Sequence, residues 1–224
     1  MQTHVLSKAV DPEEIAVETR RITVLSAGLG VPSSSRLLAD QLADEATRKL
    51  SAAGYAVTVD VVELRDLAVD VANNFVTGYA GPRLAEVIAG VEASDGIIAV
   101  SPVFSASYSG LFKSFIDVLD PKSLDGKAVL LAATGGTDRH QMVLDYAMRP
   151  LFSYLRARVA ATAVFAGPQD GGNRDDGGTP LSVRIQRAAD EFVHLLHGVQ
   201  PGRKQAPLES LPFEQLLAGI TTGN

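Results

Sequence analysis

Three short stretches gather the residue types that hold an anion and a flat ring. After an apolar run, LSAGLGVPSSSRLLADQL supplies Ser26, Gly28, Gly30, Ser33, Ser34 and Ser35 where a helical period begins. Hydroxyls and free backbone N–H groups at a helix start suit a phosphate, because the helix dipole favours negative charge there. Arg36 can add a fixed cation, and serine at this place can equally cap the helix. There is no GK[ST] of a Walker loop, and the GLG lacks the third glycine of the dinucleotide fingerprint.

The second stretch, SPVFSASYSGLFKSFID at 101–117, follows the apolar GIIAV. Pro102, Phe104 and Tyr108 offer a flat apolar wall, while Ser105, Ser107 and the loop N–H groups offer donors to the edge of a heterocycle. The same aromatics could instead pack as ordinary core. In the third, ATGGTDRHQM, the residues Thr134, Gly135, Gly136 and Thr137 let the backbone pass close to a ligand, and Asp138 can cap the helix that follows.

The elements between these stretches must bring them together. Apolar runs at 21–28, 55–64, 96–101, 127–135 and 158–166 alternate with helical periods at 35–54, 81–94, 109–119, 139–155 and 180–197. Short apolar strands, each followed by an amphipathic helix, predict an α/β fold with a doubly wound parallel sheet of five strands in a three-layer sandwich. Ligands of such sheets sit beyond the carboxyl ends of the strands, where all three stretches fall. One domain is expected over 20–198, with an N-terminal extension at 1–19 and a Pro-containing tail at 199–224. The Gly/Asp-rich 167–180 reads as a loop or lid.

Composition narrows the partners. Twenty Lys and Arg against 26 Asp and Glu give a net charge of −6, so no general field attracts nucleic acid or an anionic membrane. With no cysteine there is no disulfide or thiolate nucleophile. No apolar run reaches the roughly 18 residues of a membrane span, and the first twenty residues lack the apolar core of a signal peptide. Cytoplasmic localisation is the expectation. His194 and His197 are three apart without carboxylates beside them, and Asp170, Asp175 and Asp176 fit no calcium-loop spacing. No metal is expected.

A phosphate cradle, an aromatic-walled loop and a glycine-rich loop suit a mononucleotide with a flat ring, for which flavin mononucleotide (FMN) is the candidate. The three stretches resemble the flavin-binding segments of the NAD(P)H-dependent FMN reductases of the flavodoxin-like superfamily. More narrowly, they resemble the reductase halves of two-component flavin monooxygenase systems. The middle stretch carries the most specific likeness, P-x-[FY]-x-x-S-Y-S-G-x-[FL]-K-x-x-[IL]-D. The resemblance implies a flavodoxin-like sandwich and an enzyme that reduces FMN with NADPH or NADH. It further implies a partner flavin-dependent monooxygenase and a homodimer or homotetramer.

By the same resemblance Ser26, Ser33, Ser34 and Ser35 would hold the FMN phosphate. Pro102, Val103, Phe104 and Ser105 would line the isoalloxazine, with Tyr108 beside it or at a subunit interface. Thr134, Gly135 and Gly136 would meet the polar edge of the ring. Arg36, Arg139 and His140 are candidates for the NAD(P)H phosphate or the ring edge. The chain departs from the family's G-S-x-R start, having AGLG, and so lacks the arginine usually placed there. Hydride transfer between stacked rings needs no protein acid or base, so no catalytic side chain is assigned. An FMN-retaining quinone or azo reductase and a flavin-binding electron carrier are the rival readings. Phe112, Met148, Leu151 and Phe152 can either face a partner chain or fill the core.

Overall fold

The computed structural model describes residues 17–171 and 179–197. The elements run β1 (Thr19–Ser26), α1 (Ser34–Ala52), β2 (Ala56–Glu63), α2 (Ala68–Thr77), α3 (Pro82–Ala93), β3 (Gly96–Phe104), β4 (Ser107–Tyr108) and α4 (Gly110–Asp117). They continue as β5 (Ala128–Thr134), α5 (Arg149–Tyr154), β6 (Arg158–Val159), β7 (Val164–Ala166) and α6 (Leu181–His197). The sheet order is β2-β1-β3-β5, with β6 and β7 both beside β5. All these pairs are parallel, and β4 folds back antiparallel on β3. This is the doubly wound, flavodoxin-like arrangement, whose order reverses between β1 and β3.

The apolar runs of β3 and β5 are continuous because helices cover both faces there. The period of two sends Leu25, Ala99 and Leu131 to a core shared with Leu84, Phe112 and Phe152. It sends Val24, Val100 and Leu130 to a second core with Leu42 of α1 and Phe192 of α6. At the edge, β2 alternates between exposed and half-buried positions.

Two expectations need correction, one helix was missed, and one open choice is decided. The regular helix at 139–155 is instead a 3-10 turn at Asp138–Met142, a π turn at Leu144–Met148 and then α5. Pro150 lies at the start of α5, where its missing N–H and its ring forbid a continuous ladder back into the preceding turn. The run at 158–166 is two strands, because Arg149 donates to the carbonyls of Ala160 (3.0 Å) and Ala161 (2.9 Å). Glu191 accepts from the Thr162 N–H (2.5 Å) and hydroxyl (2.7 Å), so the ladder is interrupted after the Ala160 N–H, which still donates to the Val129 carbonyl of β5 at 2.9 Å. The helix α2 was not foreseen: only Val71 is buried in it, while Val69, Phe75 and Val76 are exposed, which blurs the helical period. Finally, Phe112, Met148 and Phe152 are fully buried and cannot form a partner-facing patch, and Leu151 packs half-buried against the same core.

The extension and tail expected at 1–19 and 199–224 lie outside the described residues except for 17–19. So do residues 172–178 of the 167–180 loop. Its described end is tied down, because Arg184 pairs with Asp170 at 2.5 Å and also donates to the Phe165 carbonyl. His194 and His197 lie in the last turn of α6, where the Tyr55 hydroxyl and Nδ1 of His197 share a hydrogen bond of 3.2 Å.

Candidate active site

The first loop is built around Gly28 and Ser33. Ser33 caps α1, its Oγ accepting the Arg36 N–H at 3.2 Å, and the chain folds so tightly that a Cβ on Gly28 would stand 1.9 Å from that oxygen. Capping and anion binding are compatible here, since a hydroxyl that accepts one bond still has a proton to donate. Ser34, the first residue of α1, is exposed, and Ser35 is buried. Ser26, at the carboxyl end of β1, is 1 % exposed, and its Oγ has no hydrogen-bond partner among the described residues. A buried hydroxyl without a partner is uncommon and marks a place where a water or ligand completes the bonding.

The second stretch is a hairpin. Val103 pairs with Tyr108 and Phe104 with Ser107, so Ser105 (φ 48°) and Ala106 (φ 65°) form a two-residue turn with both residues left-handed. Such a turn matches strand twist but costs non-glycine residues about 1–2 kcal/mol each. Ser101 buttresses its base: its Oγ accepts the Ser109 N–H at 2.9 Å and donates to the Pro102 carbonyl at 3.0 Å. Phe104 is 45 % exposed and Pro102 and Val103 are half-buried. Tyr108 leans on Phe112 with ring centroids 5.9 Å apart, and Phe112 leans on Phe152. Of the two readings of these aromatics, the structure thus gives Tyr108 to the rim of the core and Phe104 to the open surface.

The third loop follows β5. Thr134 is buried, and its Oγ1 lies 2.8 Å from Ser35 Oγ, a bond that ties the third loop to the first. Gly135 donates its N–H to Ala166 at 3.2 Å, and a Cβ there would meet Phe165 at 2.8 Å and the Cβ of His140 at 3.3 Å. Gly136 has open space at the same position. Thr137, not Asp138, takes the cap position of the following turn, with no side-chain capping bond. Asp138 leans toward Gly167, where its carboxylate blocks room for a Cβ. Arg139 is exposed, and Nδ1 of His140 is buried without a partner among the described residues.

Strand register explains why these groups meet. Ser26 lies beside Glu63 on one side and Val100 on the other, and Pro102 lies beside Thr134. Laterally paired residues of a parallel sheet point to the same face, as do residues two apart along a strand, so Ser26 and Glu63 on one rung and Pro102 and Thr134 on the next make a two-rung row toward α1 at the carboxyl edge. Ser33 and Ser35 approach that row from the helix. Arg139 and His140 lie in the turn that directly follows the third loop, with the His140 Cβ against Gly135.

Arg36 is not turned to the loop. Its Nε donates to Asp40 at 2.7 Å and its NH1 to Glu63 at 2.8 Å. Hydrogen bonding to Asp40, with Glu63 adding to it, raises its pKa above the ordinary arginine value. Sequence reading missed two neighbours. Arg65, just past β2, donates to the Gly30 carbonyl at 2.6 Å and pairs with Glu63 at 2.7 Å. Their only sequence signal is the alternation of charges in VVELRD, after an edge strand.

Set beside known proteins, the chain matches the family model described as NADPH-dependent FMN reductase over residues 20–172. It is 34 % identical to an FMN reductase (NADPH) of Pseudomonas aeruginosa, over 80 % of this chain and 93 % of that one. It is 32 % identical to the NADH-dependent FMN reductase SfnF of Pseudomonas fluorescens, over 78 % and 91 %. The crystal structure of an oxidoreductase from Corynebacterium diphtheriae superposes with a TM-score of 0.77 at 41 % identity, covering 82 % of this chain and all of that one.

Proposed function

From the premise that this chain belongs to the NADPH-dependent FMN reductase family and is an NAD(P)H-dependent oxidoreductase acting on FMN, we propose that it takes up FMN as an exchanging substrate. It then hands reduced FMN to a separate flavin-dependent monooxygenase. The observation that carries this reading is the row at the carboxyl edge, where a buried unpartnered hydroxyl, Ser26, stands beside a helix start and two close-packed glycine loops. The arginines next to it are both occupied by carboxylates. A phosphate held by hydroxyls and amides, without a committed cation, is held well enough to orient the ring and loosely enough to leave.

The residues present fit FMN. The hydroxyls of Ser26, Ser33 and Ser35, with Ser34 at the exposed first position, would supply donors to the phosphate. The backbone and ring of Pro102, Val103, Phe104 and Ser105 would face the isoalloxazine, with Tyr108 bracing that wall from behind. Thr134, Gly135 and Gly136 would let the backbone meet its polar edge, and the Nδ1 of His140 can donate or accept there. Bound FMN supplies a ring that accepts hydride from a nicotinamide. The protein's part is to hold the two rings face to face and to keep water from between them. No side chain has to move a proton for the hydride to pass. Arg139, exposed beside the third loop, is the cation available to a nicotinamide nucleotide phosphate. We place the protein in the cytoplasm as a homodimer or homotetramer; among the described residues no helix is long and apolar enough to cross a membrane.

The test follows NADPH or NADH loss at 340 nm with flavin-stripped protein while free FMN is varied. Saturating dependence on free FMN supports a substrate flavin. Oxidation that needs only stoichiometric, retained FMN together with a quinone would transfer the reading to a quinone reductase, and tight FMN without oxidation would make the protein a carrier.

A further inference from the structure

Glu63 stands in the row of residues at the carboxyl edge, laterally paired with Ser26, yet a carboxylate is an unwelcome neighbour for a phosphate. Its side chain is 18 % exposed. Oε1 accepts from Arg36 at 2.8 Å, and Oε2 lies 2.7 Å from Arg65. Arg36 is also bound by Asp40 at 2.7 Å, and Arg65 lies 3.5 Å from Asp66. Two guanidiniums flank the first loop, one from the first turn of α1 and one bonded to the Gly30 carbonyl, and three carboxylates surround them. Planar guanidiniums pair strongly with carboxylate and phosphate alike, so the two anions compete for the same donors. A phosphate arriving at the loop therefore meets a cluster whose positive charge is already spent.

We propose that Glu63 is the residue that sets how readily the phosphate-bearing flavin leaves. By pairing with Arg36 and Arg65 together, it withholds the charge of both cations from a phosphate at the first loop while it holds Arg65 in place to brace Gly30. This rests on the reading that the first loop holds the flavin phosphate. Glu63 is a positioning residue: it acts through the arginines and touches neither ring.

Glu63→Gln keeps the shape and removes one negative charge. With flavin-stripped protein, flavin fluorescence titration is expected to show FMN binding about tenfold tighter, the scale of one elementary charge acting on a phosphate at a protein edge. Riboflavin, which lacks the phosphate, should bind unchanged, and the stopped-flow release rate of FMN should fall in parallel. Asp66→Asn removes the same charge at the edge of the cluster and should give a much smaller change. FMN binding that is unchanged or weaker in Glu63→Gln, or a gain shared equally by riboflavin, overturns the proposal. The unaltered protein provides an independent reading, because neutralised arginines should make its FMN affinity vary less than about twofold between low and high salt. A steep loss of affinity with salt also overturns the proposal. If the unaltered protein binds riboflavin as tightly as FMN, the phosphate reading itself fails, and that outcome is distinct from a phosphate-selective protein indifferent to Glu63.

Discussion

Replacing Gly28 with alanine probes the tightest contact of the site. The new Cβ would lie 1.9 Å from Ser33 Oγ, 3.1 Å from Ser33 Cβ and 3.2 Å from Ser35 Cβ. The hydroxyl can escape by rotating about χ1, but that surrenders the capping bond from the Arg36 N–H, a loss of about 1 kcal/mol. The two Cβ contacts remain, and relieving them by backbone shifts adds about 1–3 kcal/mol of overpacking. Gly28→Ala should therefore cost about 2–4 kcal/mol and Ser33→Ala about 1 kcal/mol. The double variant should be scarcely less stable than Gly28→Ala, because both changes remove the same cap. Urea unfolding of the four proteins measures this non-additivity, expected at about 1 kcal/mol against the roughly 0.3–0.5 kcal/mol scatter of independent sites. In thermal unfolding it corresponds to about 2–4 °C for a domain of this size. Additive costs, or a Gly28→Ala protein as stable as the unaltered one, would refute the claim that Gly28 exists to admit the Ser33 hydroxyl.

Ala106→Gly removes a side chain from a residue held at φ 65°, and relief of that strain should outweigh the added backbone entropy, raising Tm by about 1–3 °C; a lower Tm would show that the turn is not strained. Gly135→Ala should displace the third loop from Phe165 and weaken FMN binding about tenfold while lowering Tm only modestly, read by fluorescence titration and thermal unfolding together. Burial pushes the Glu191 carboxyl up, but Thr162 and Arg187 outweigh it and hold its pKa below the ordinary 4.5. Its stabilising effect is thus fully present above that value and lost as pH falls through the lower folded one. The Tm deficit of Glu191→Gln should accordingly be largest near neutrality and vanish in acid, and a deficit independent of pH would contradict this. Phe112→Ala, emptying a position between Tyr108 and Phe152, should cost about 3–5 kcal/mol in urea unfolding.

Much of this protein is local in its sequence. The five apolar runs, the helical periods between them and the glycines and serines that follow β1, β3 and β5 were legible because strand alternation, helix period and loop chemistry are set within a few residues. They were sufficient to put three loops on one sheet edge. What the chain could not disclose by itself depends on partners far away along it. Ser35 meets Thr134 across 99 residues, and Arg36 turns from the loop because Asp40 on its own helix and Glu63, 27 residues on, both bond to it. The strand breaks after Ala160 where Arg149 and Glu191, from two helices, bond to Ala160, Ala161 and Thr162. Phe112 and Phe152 read equally well as a partner-facing patch or as core until the packing of α4 against α5 buried them. Hydrophobic pattern says which residues seek burial, but charge pairing and side-chain contact are decided only when the sheet brings distant segments within hydrogen-bonding reach.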